Sequence, residues 1–162
     1  QQKMIKNKYM KNTTNVAGMH FRIGDYKKIQ GCHPLMPIKY YESALNEIVS
    51  CYKADTKVKI LYFCEEQDKE EVNSIIEKLK VKKIRENIEY ERATNEASDW
   101  EQMLLMSVCE HNIIANSSFS WFGAYFNQNE SKKVCYPSLW FGPDMKKDVT
   151  DLFPKTWIKI DI

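Results

Sequence analysis

The sequence predicts an α/β fold in which a parallel sheet is covered by helices on both faces. Short apolar runs alternate along the chain with longer amphipathic runs, which is the pattern of strands joined by crossover helices. The 162 residues suffice for one domain, and a hydrophobic content of 43% is enough for a buried core. No repeat or low-complexity linker divides the chain, which has only five glycines and five prolines.

Six strands are predicted from short apolar runs. The first spans 15–22 and ends in a Gly-Asp-Tyr turn, and the second spans 57–64 and is mostly apolar toward its end. Ligands bind at the carboxyl ends of the strands in such sheets, so the residues that follow each strand are candidate site residues. The remaining strands are 87–90, which is the weakest, 112–115, 133–136 and 157–160.

Four helices fill the intervals between the strands. Proline stands at the first position of the first helix. Acidic residues in the first turn of the second helix interact favourably with the helix dipole. Ser98 or Asp99 caps the third, with Gln102 near its capping-box position. The fourth is a compact run whose large aromatic side chains, at 121, 122, 125 and 126, are assigned to the core. The predicted helices span 37–52, 68–79, 98–109 and 118–126.

The composition excludes several classes of protein. With 24 basic and 22 acidic residues the formal net charge is +2, which argues against a nucleic-acid binder. No apolar run reaches the roughly 18–20 residues of a membrane span, and the polar start of the chain lacks the apolar region of a signal peptide. The five cysteines include no CxxC pair, which indicates free thiols in a reducing compartment rather than a zinc site. Free cysteines, together with the frequent lysine and asparagine, favour a cytoplasmic protein of bacterial or viral origin.

The residues after the first strand predict a phosphate site. His20 and Arg22 alternate along the strand, so their side chains point to the same face of the sheet. A guanidinium at this place holds a phosphate through two parallel hydrogen bonds, and the neighbouring imidazole can donate one more. Gly24 allows a sharp turn or a close approach to a ligand. In the alternative interpretation Arg22 pairs with Asp25 and only fixes the loop.

Two further strand ends carry polar residues. The carboxylates of Glu65 and Glu66 follow the second strand, where they can accept hydrogen bonds from ribose hydroxyls or form a solvated acidic loop. The run from Asn116 through Ser117 to Ser118 places hydroxyls and free N–H groups at a helix N-terminus, which suits an anion and also caps the helix. No GxGxxG or Walker A loop is present, so the sequence gives no support to a dinucleotide-binding or ATPase function.

Two motifs and a terminal segment together resemble the α-1,2-fucosyltransferase family. They are HFRIGDY at 20–26, LMSVCEHNIIANSSFSW at 105–121 and YPSLWF at 136–141. The resemblance implies an inverting, metal-independent enzyme that takes GDP-fucose as donor and a glycan as acceptor. It implies the GT-B architecture, with two Rossmann-like domains and a cleft between them. By this resemblance 15–162 is the C-terminal, donor-binding domain and 1–14 an incoming helix or linker. The N-terminal, acceptor-binding half lies outside the chain. The resemblance is compatible with peripheral membrane association through that half.

The resemblance also implies roles for individual residues. Arg22 looks like the arginine that grips the β-phosphate of the donor, and His20 like its neighbour at the nucleotide. The segment from Ser117 through Ser118 to Phe119 looks like the backbone cradle of the pyrophosphate. Tyr41 falls where related enzymes place a tyrosine near the donor. Glu65 and Glu66 stand where the family usually shows two aspartates.

Two questions of chemistry stay open in the sequence. Gln102 stands where the family has an aspartate, and an amide offers guanine one acceptor oxygen where a carboxylate offers two. We therefore expect either a weaker selectivity for guanine or a different base. Arg22 and Asp25 are the predicted catalytic residues, although His33 or a residue outside the chain would serve equally as the general base. Two other functions are compatible with the pattern, a nucleotide-sugar-binding module without catalysis and a flavodoxin-like regulatory domain.

Overall fold

The computed structural model describes residues 1–162 and contains one six-stranded parallel sheet. The strand order is β3-β2-β1-β4-β5-β6, and each neighbouring pair is parallel. The sheet thus grows outward from β1 and β4 in opposite directions, which is the doubly wound arrangement. The strands are β1 (Val16–His20), β2 (Val58–Phe63), β3 (Ile88–Arg92), β4 (His111–Ile113), β5 (Val134–Pro137) and β6 (Ile158–Ile160).

Helices cover both faces of the sheet, and each face has its own apolar core. Residues of α2 and α3 pack with the sheet in one core, and residues of α1, α4 and α5 in the other. Strand β1 is buried along its whole length because it faces both cores. The helices are α1 (Gln2–Tyr9), α2 (Ile38–Val49), α3 (Lys69–Val81), α4 (Asp99–Ser107) and α5 (Ser118–Tyr125), and short 3₁₀ turns span Gly24–Lys28 and Glu66–Asp68.

The predicted fold class and the presence of all six strands are confirmed, and the differences lie at the ends of elements. Strand β1 ends at His20 rather than at 22, so Arg22 lies in the loop that follows, and β4 spans His111–Ile113 rather than 112–115. Helix α2 begins one residue after Pro37, which is its N-cap, and ends at Val49 rather than at 52. Ser98 caps α4 as predicted, but its capping-box partner is Glu101 and not Gln102. The Ser98 N–H and hydroxyl both lie 3.0 Å from Glu101 Oε2.

The prediction that the aromatic side chains of α5 fill the core is wrong for three of the four. The small residues of α5 face the interior instead, and a Cβ on Gly123 would lie 3.0 Å from Met106 Sδ of α4. Close packing between α4 and α5 therefore requires the small face of the helix and turns its aromatic residues outward. These aromatic residues are 42–53% exposed: Phe122, Tyr125 and Phe126.

The reversal of strand order between β1 and β4 decides where a ligand can enter. Crossovers from β1 and from β4 leave in opposite directions, so a crevice opens outside the carboxyl ends of these two strands. The N-terminal helix α1 packs on α4 in the second of the two cores, with Ile5 fully buried. None of the helices has the length and apolar character that crossing a membrane requires.

Candidate functional site

A cavity of about 460 Å³ lies at the crevice where the strand order reverses. Each of the strands β1, β2, β3 and β4 sends residues into its wall from the carboxyl end or from the loop that follows. The first turn of α4 closes the cavity on the side away from β1. Among the residues that line it are His20, Arg22, Glu65, Glu66, Arg92, Asn95, Asp99, Gln102, Ser117 and Phe119.

Arg22 sits between two carboxylates at the mouth of this cavity. One of its terminal nitrogens lies 2.6 Å from Asp25 Oδ1, and the other pairs with Glu65. The Arg22 side chain is 25% exposed, so its charge is partly shielded from water and faces the cavity. The ion pair with Asp25 that the sequence left as an alternative is therefore present. A phosphate that binds Arg22 must replace at least one of these carboxylates on the guanidinium.

A second arginine, Arg92, enters the same cavity and was missed by the sequence analysis. Its Nη2 lies 2.7 Å from Glu66 Oε2, and its buried Nε has no hydrogen-bond partner. The side chain is 17% exposed, so it is less accessible than Arg22. A signal was present in the sequence, because Arg92 is one of only three arginines and ends β3, whose carboxyl end lies at the ligand edge of the sheet.

His20 is a neutral hydrogen-bonding group at the back of the cavity. It is 6% exposed, and its ring packs against Phe119 with centroids 5.1 Å apart. Burial, and next the positive charge of Arg22, lower the pKa of His20 to about 3, so the imidazole is uncharged at neutral pH. Its Nδ1 is buried without a hydrogen-bond partner. A polar group left in this state favours a ligand that completes its hydrogen bonding.

The loop that carries Arg22 is fixed to the loop after β2 through Gly24. The Gly24 N–H donates to Asp68 Oδ2 at 2.8 Å, and Asp68 is 4% exposed. Gly24 has a φ of +21°, and a Cβ there would lie 3.2 Å from Glu65 Oε2. The backbone conformation therefore favours glycine, and any larger side chain would also displace the carboxylate of Glu65, which is itself the partner of Arg22.

The start of α5 supplies backbone donors to the cavity. Ser117 is the N-cap, and the first intrahelical bond runs from the Trp121 N–H to the Ser117 carbonyl at 3.0 Å. Helix geometry consequently leaves the N–H groups of residues 118–120 without a partner inside the helix. Together with the helix dipole, these groups favour a negative charge near Ser117 and Phe119.

Four predicted site residues lie outside this cavity. Tyr41 is 2% exposed and belongs to the first core, where its hydroxyl donates to the His20 carbonyl at 3.2 Å. It supports the strand end and does not line the cavity. The Asp25 side chain is 63% exposed and reaches the site only through Arg22. Asn116 and Ser118 face a neighbouring cavity, which they share with His33.

No three His, Cys, Asp or Glu side chains lie together in a way that could hold a metal ion. The cationic groups of the site are instead Arg22 and Arg92, which alternate with the carboxylates of Glu65 and Glu66. Cys64 also lines the cavity, and burial raises the pKa of its thiol, which favours the protonated and less reactive form.

The strand order, the crevice and the donors around it define the class of Rossmann-like α/β domains. The structure of ADP-heptose lipopolysaccharide heptosyltransferase II from Escherichia coli shares this fold, with a TM-score of 0.54, 13% identity, and coverage of 98% of this chain and 42% of that one. The sequence matches the model of glycosyl transferase family 11 over residues 2–161. The chain therefore belongs to glycosyl transferase family 11, which confirms the resemblance seen in the motifs.

Two curated relatives from Escherichia coli are similar over almost the whole chain. The O-antigen biosynthesis glycosyltransferase WbnK is 29% identical over 96% of this chain and 48% of its own length. An alpha-1,2-colitosyltransferase is 28% identical over 91% of this chain and 48% of its own length. The chain thus spans about half the length of the curated relatives that it matches.

Proposed function

We propose that the chain is the donor-binding half of an inverting, metal-independent glycosyltransferase that takes fucose from GDP-fucose and attaches it to a glycan hydroxyl. The observation that carries the proposal is the position of Arg22. This guanidinium lies at the reversal of strand order, beside the neutral His20 and the free N–H groups at the start of α5. Family membership supports glycosyl transfer, and the metal independence and the inversion rest on the resemblance alone.

The diphosphate of the donor is expected at the mouth of the cavity. Its β-phosphate replaces a carboxylate on Arg22, and its oxygens accept hydrogen bonds from the N–H groups near Ser117 and Phe119. His20, which is uncharged, offers a hydrogen bond without adding repulsion toward Arg22. Arg92 adds a second positive charge deeper in the cavity. Glu65, once released from Arg22, can accept hydrogen bonds from ribose hydroxyls, and Glu66 can do so through the carboxylate oxygen that does not pair with Arg92.

Transfer with inversion is a single displacement at the anomeric carbon. The acceptor oxygen attacks from the face opposite to GDP, the bond to the β-phosphate oxygen breaks, and negative charge develops on that oxygen. Arg22 and the N–H groups of α5 are already oriented toward this charge, so they stabilise the transition state without reorganisation. The hydroxyl proton passes to a base. Asp25 can act as that base only by leaving its ion pair with Arg22.

The first turn of α4 is the expected base-recognition surface. Gln102 Nε2 donates to the Ala97 carbonyl at 3.1 Å, which leaves its carbonyl oxygen as an acceptor. Asp99 lies three residues earlier on the same helix and also lines the cavity. We propose that these two side chains share the N1–H and N2–H groups of guanine, which a single aspartate accepts in the family pattern.

The transferred sugar has a second candidate. One curated relative is named as an alpha-1,2-colitosyltransferase, so colitose stands beside fucose as the sugar to be tested. The full-length protein would be supplied with GDP-fucose and with GDP-colitose, and GDP release would be measured with and without glycan acceptors. Release that depends on one of these donors and is lost in Arg22→Ala supports the proposal. GDP binding without any release would indicate a binding module without catalysis, and no binding of GDP would contradict the donor site itself.

A further inference from the structure

A second cavity of about 580 Å³ adjoins the nucleotide cavity on the other side of the segment that follows β4. Alternate residues of this segment face the two spaces. Ser117 and Phe119 line the nucleotide cavity, whereas Asn116 and Ser118 line the second one. Tyr26 also joins the two sites, because its ring lies 5.1 Å from the Arg22 guanidinium carbon and forms part of the second cavity.

The walls of the second cavity are largely aromatic. The His33 ring stacks on Tyr26 with centroids 4.8 Å apart, and Phe141 meets His33 edge-on at 5.6 Å. Trp121 and Trp140 complete this aromatic wall, and Lys147 and Asp148 provide charged groups. Ligand sites in proteins commonly combine such apolar surfaces with a few fixed polar groups.

Two polar atoms at this cavity are buried without a hydrogen-bond partner. Asn116 is 2% exposed, and its Nδ2 donates to the carbonyls of Pro34 at 3.0 Å and Trp140 at 3.2 Å. These two bonds fix the amide and identify Oδ1 as the unpaired acceptor. His33 Nδ1 is likewise buried and unpaired. Each such atom costs folding free energy unless a ligand or water completes it, so a site that retains both favours a ligand with several hydroxyls.

The cavity is built by tertiary contacts and not by one flexible loop. The Gly142 N–H donates to the Cys32 carbonyl at 2.8 Å, and the Asp144 N–H donates to the Gly31 carbonyl at 2.8 Å. A Cβ on Gly142 would lie 2.3 Å from the Gly31 carbonyl oxygen, so the two loops touch through glycine. The walls that carry His33 and Phe141 are therefore held against each other.

We infer that the second cavity is a subsite for a pyranose ring of a sugar substrate. A pyranose has apolar C–H faces, which pack against aromatic rings, and a rim of hydroxyls, which can donate to Asn116 Oδ1 and bond to His33 Nδ1. The inference rests on the proposed function for its place in a reaction, because the ring belongs either to the transferred sugar of the donor or to the glycan acceptor. It also assigns to this half of the enzyme a part in sugar recognition.

The first test needs no activity. Free L-fucose and D-galactose would be titrated to about 100 mM into the 162-residue chain, and the fluorescence of its tryptophans and the amide NMR signals of residues 26, 33, 116 and 141 would be followed. If the subsite exists, we expect saturable shifts at these signals. His33→Phe keeps the stacking but removes the nitrogens, so it should lower the affinity for the free sugar five- to tenfold. The control is His111→Phe, which removes the nitrogens of a histidine that lines neither cavity and packs edge-on against Tyr52 at 5.2 Å. Because this variant also loses the bond from the Lys133 N–H, only its sugar affinity is compared, and that affinity should not change.

The second test identifies the source of the sugar. In the full-length protein, His33→Phe is expected to leave the affinity for GDP unchanged, because His33 does not line the nucleotide cavity. Since His33 is also a candidate general base, kcat and KM would be measured separately: a fall in kcat with both KM values unchanged would assign His33 to proton transfer and contradict the subsite. A five- to tenfold rise in KM for the glycan acceptor assigns the subsite to the acceptor, and the same rise in KM for the donor assigns it to the transferred sugar. If neither free sugar shifts these signals and neither KM changes, the subsite does not exist, even where GDP binding and transfer are intact.

Discussion

The two ends of the parallel sheet use the same residue types in opposite ways. At the amino end, His111 Nδ1 accepts the Lys133 N–H at 3.0 Å, and Arg85 donates to backbone carbonyls that include those of Val49 and Thr56 at 3.0 Å. At the carboxyl end, His20 Nδ1 has no partner, and Arg22 pairs only with carboxylates that an anion can replace. At the amino end the backbone thus binds His111 and the terminal nitrogens of Arg85, although Arg85 Nε and the Tyr52 hydroxyl are buried without a partner. At the carboxyl end Arg22 is held only by side chains that a ligand can replace.

Residue type therefore does not distinguish a structural arginine from a functional one, whereas the kind of partner does: backbone carbonyls hold Arg85, and exchangeable carboxylates hold Arg22. The nitrogen atoms of Arg85 hold the turn after α2 and will matter for folding. Those of Arg22 contribute to the fold only by fixing an exposed loop through the ion pair with Asp25. Substitutions at the two ends should therefore change different measurements, which makes the distinction testable.

The largest effect is expected for Arg22→Ala. Because the proposed function places this group beside the charge that develops on the leaving GDP, its loss should lower the rate of transfer by about 100- to 1,000-fold, with little change in melting temperature. Steady-state kinetics and thermal unfolding would be compared with Arg85→Ala, which should instead lower the melting temperature. The comparison fails if Arg22→Ala destabilises the fold as much as Arg85→Ala while transfer continues at more than a tenth of its normal rate.

The second prediction concerns the pH dependence that buried His20 imposes on stability. Its pKa is about 3 in the folded protein and about 6.5 when unfolded, so only the unfolded chain takes up this proton between those values. Stability should thus fall as pH falls, with His20 contributing a loss of about 2 kcal/mol between pH 7 and pH 5.

Urea unfolding at pH 7, 6 and 5 would measure this slope in the normal chain and in His20→Gln. In His20→Gln, the slope of unfolding free energy against pH should be smaller by the amount that corresponds to uptake of about one proton on unfolding. His111→Gln is the companion variant, because burial also lowers the pKa of His111. An unchanged slope in His20→Gln would show that His20 is not held neutral.

The third prediction compares two cations on neighbouring strands. Arg92→Ala should weaken the binding of GDP about tenfold, because it removes a partly buried charge from the cavity wall. Lys59→Ala is the matched control: Lys59 is 24% exposed and pairs with Glu91, but it does not line the cavity. Calorimetric titration measures both, and equal losses in the two variants would show that Arg92 acts only through overall charge.

The smallest effect is expected at the base-recognition surface. Gln102→Asp restores the second carboxylate oxygen of the family pattern and should raise the preference for GDP over ADP about three- to tenfold. The control Gln128→Asp adds the same charge at a position outside the nucleotide cavity. A ratio of GDP to ADP affinity that moves equally in both variants would contradict recognition of guanine by α4.

Much of this molecule could be predicted because its signals are local. Apolar runs and helix caps lie within a few residues of one another, so the six strands and the Ser98 cap were accessible to the sequence. His20 and Arg22 line one cavity as predicted, but β1 ends at His20, so it is the loop after the strand and not strand alternation that places Arg22. The orientation of α5 was not accessible in this way, since it depends on the close contact of Gly123 with Met106 of another helix.

The parts that could not be predicted depend on residues distant in sequence. The role of Arg92 follows from the parallel pairing of β2 and β3, which brings its side chain to Glu66, 26 residues earlier. The second cavity requires the loop at Gly31 to meet the loop at Gly142, more than 100 residues later. No local pattern specifies such a contact, so Asn116 was grouped with Ser117 in one anion site although the two residues face different cavities.

The measurement that tests the account most directly is calorimetric titration of the chain with GDP, ADP and UDP. We expect GDP to bind more tightly than ADP or UDP. We also expect GDP binding to be lost in Arg22→Ala and retained in Lys57→Ala. The Lys57 variant removes one positive charge from an ion pair with Glu89 that lies outside the nucleotide cavity. Binding of GDP that survives the loss of Arg22 would contradict the assignment of the carboxyl-end cavity as the donor site.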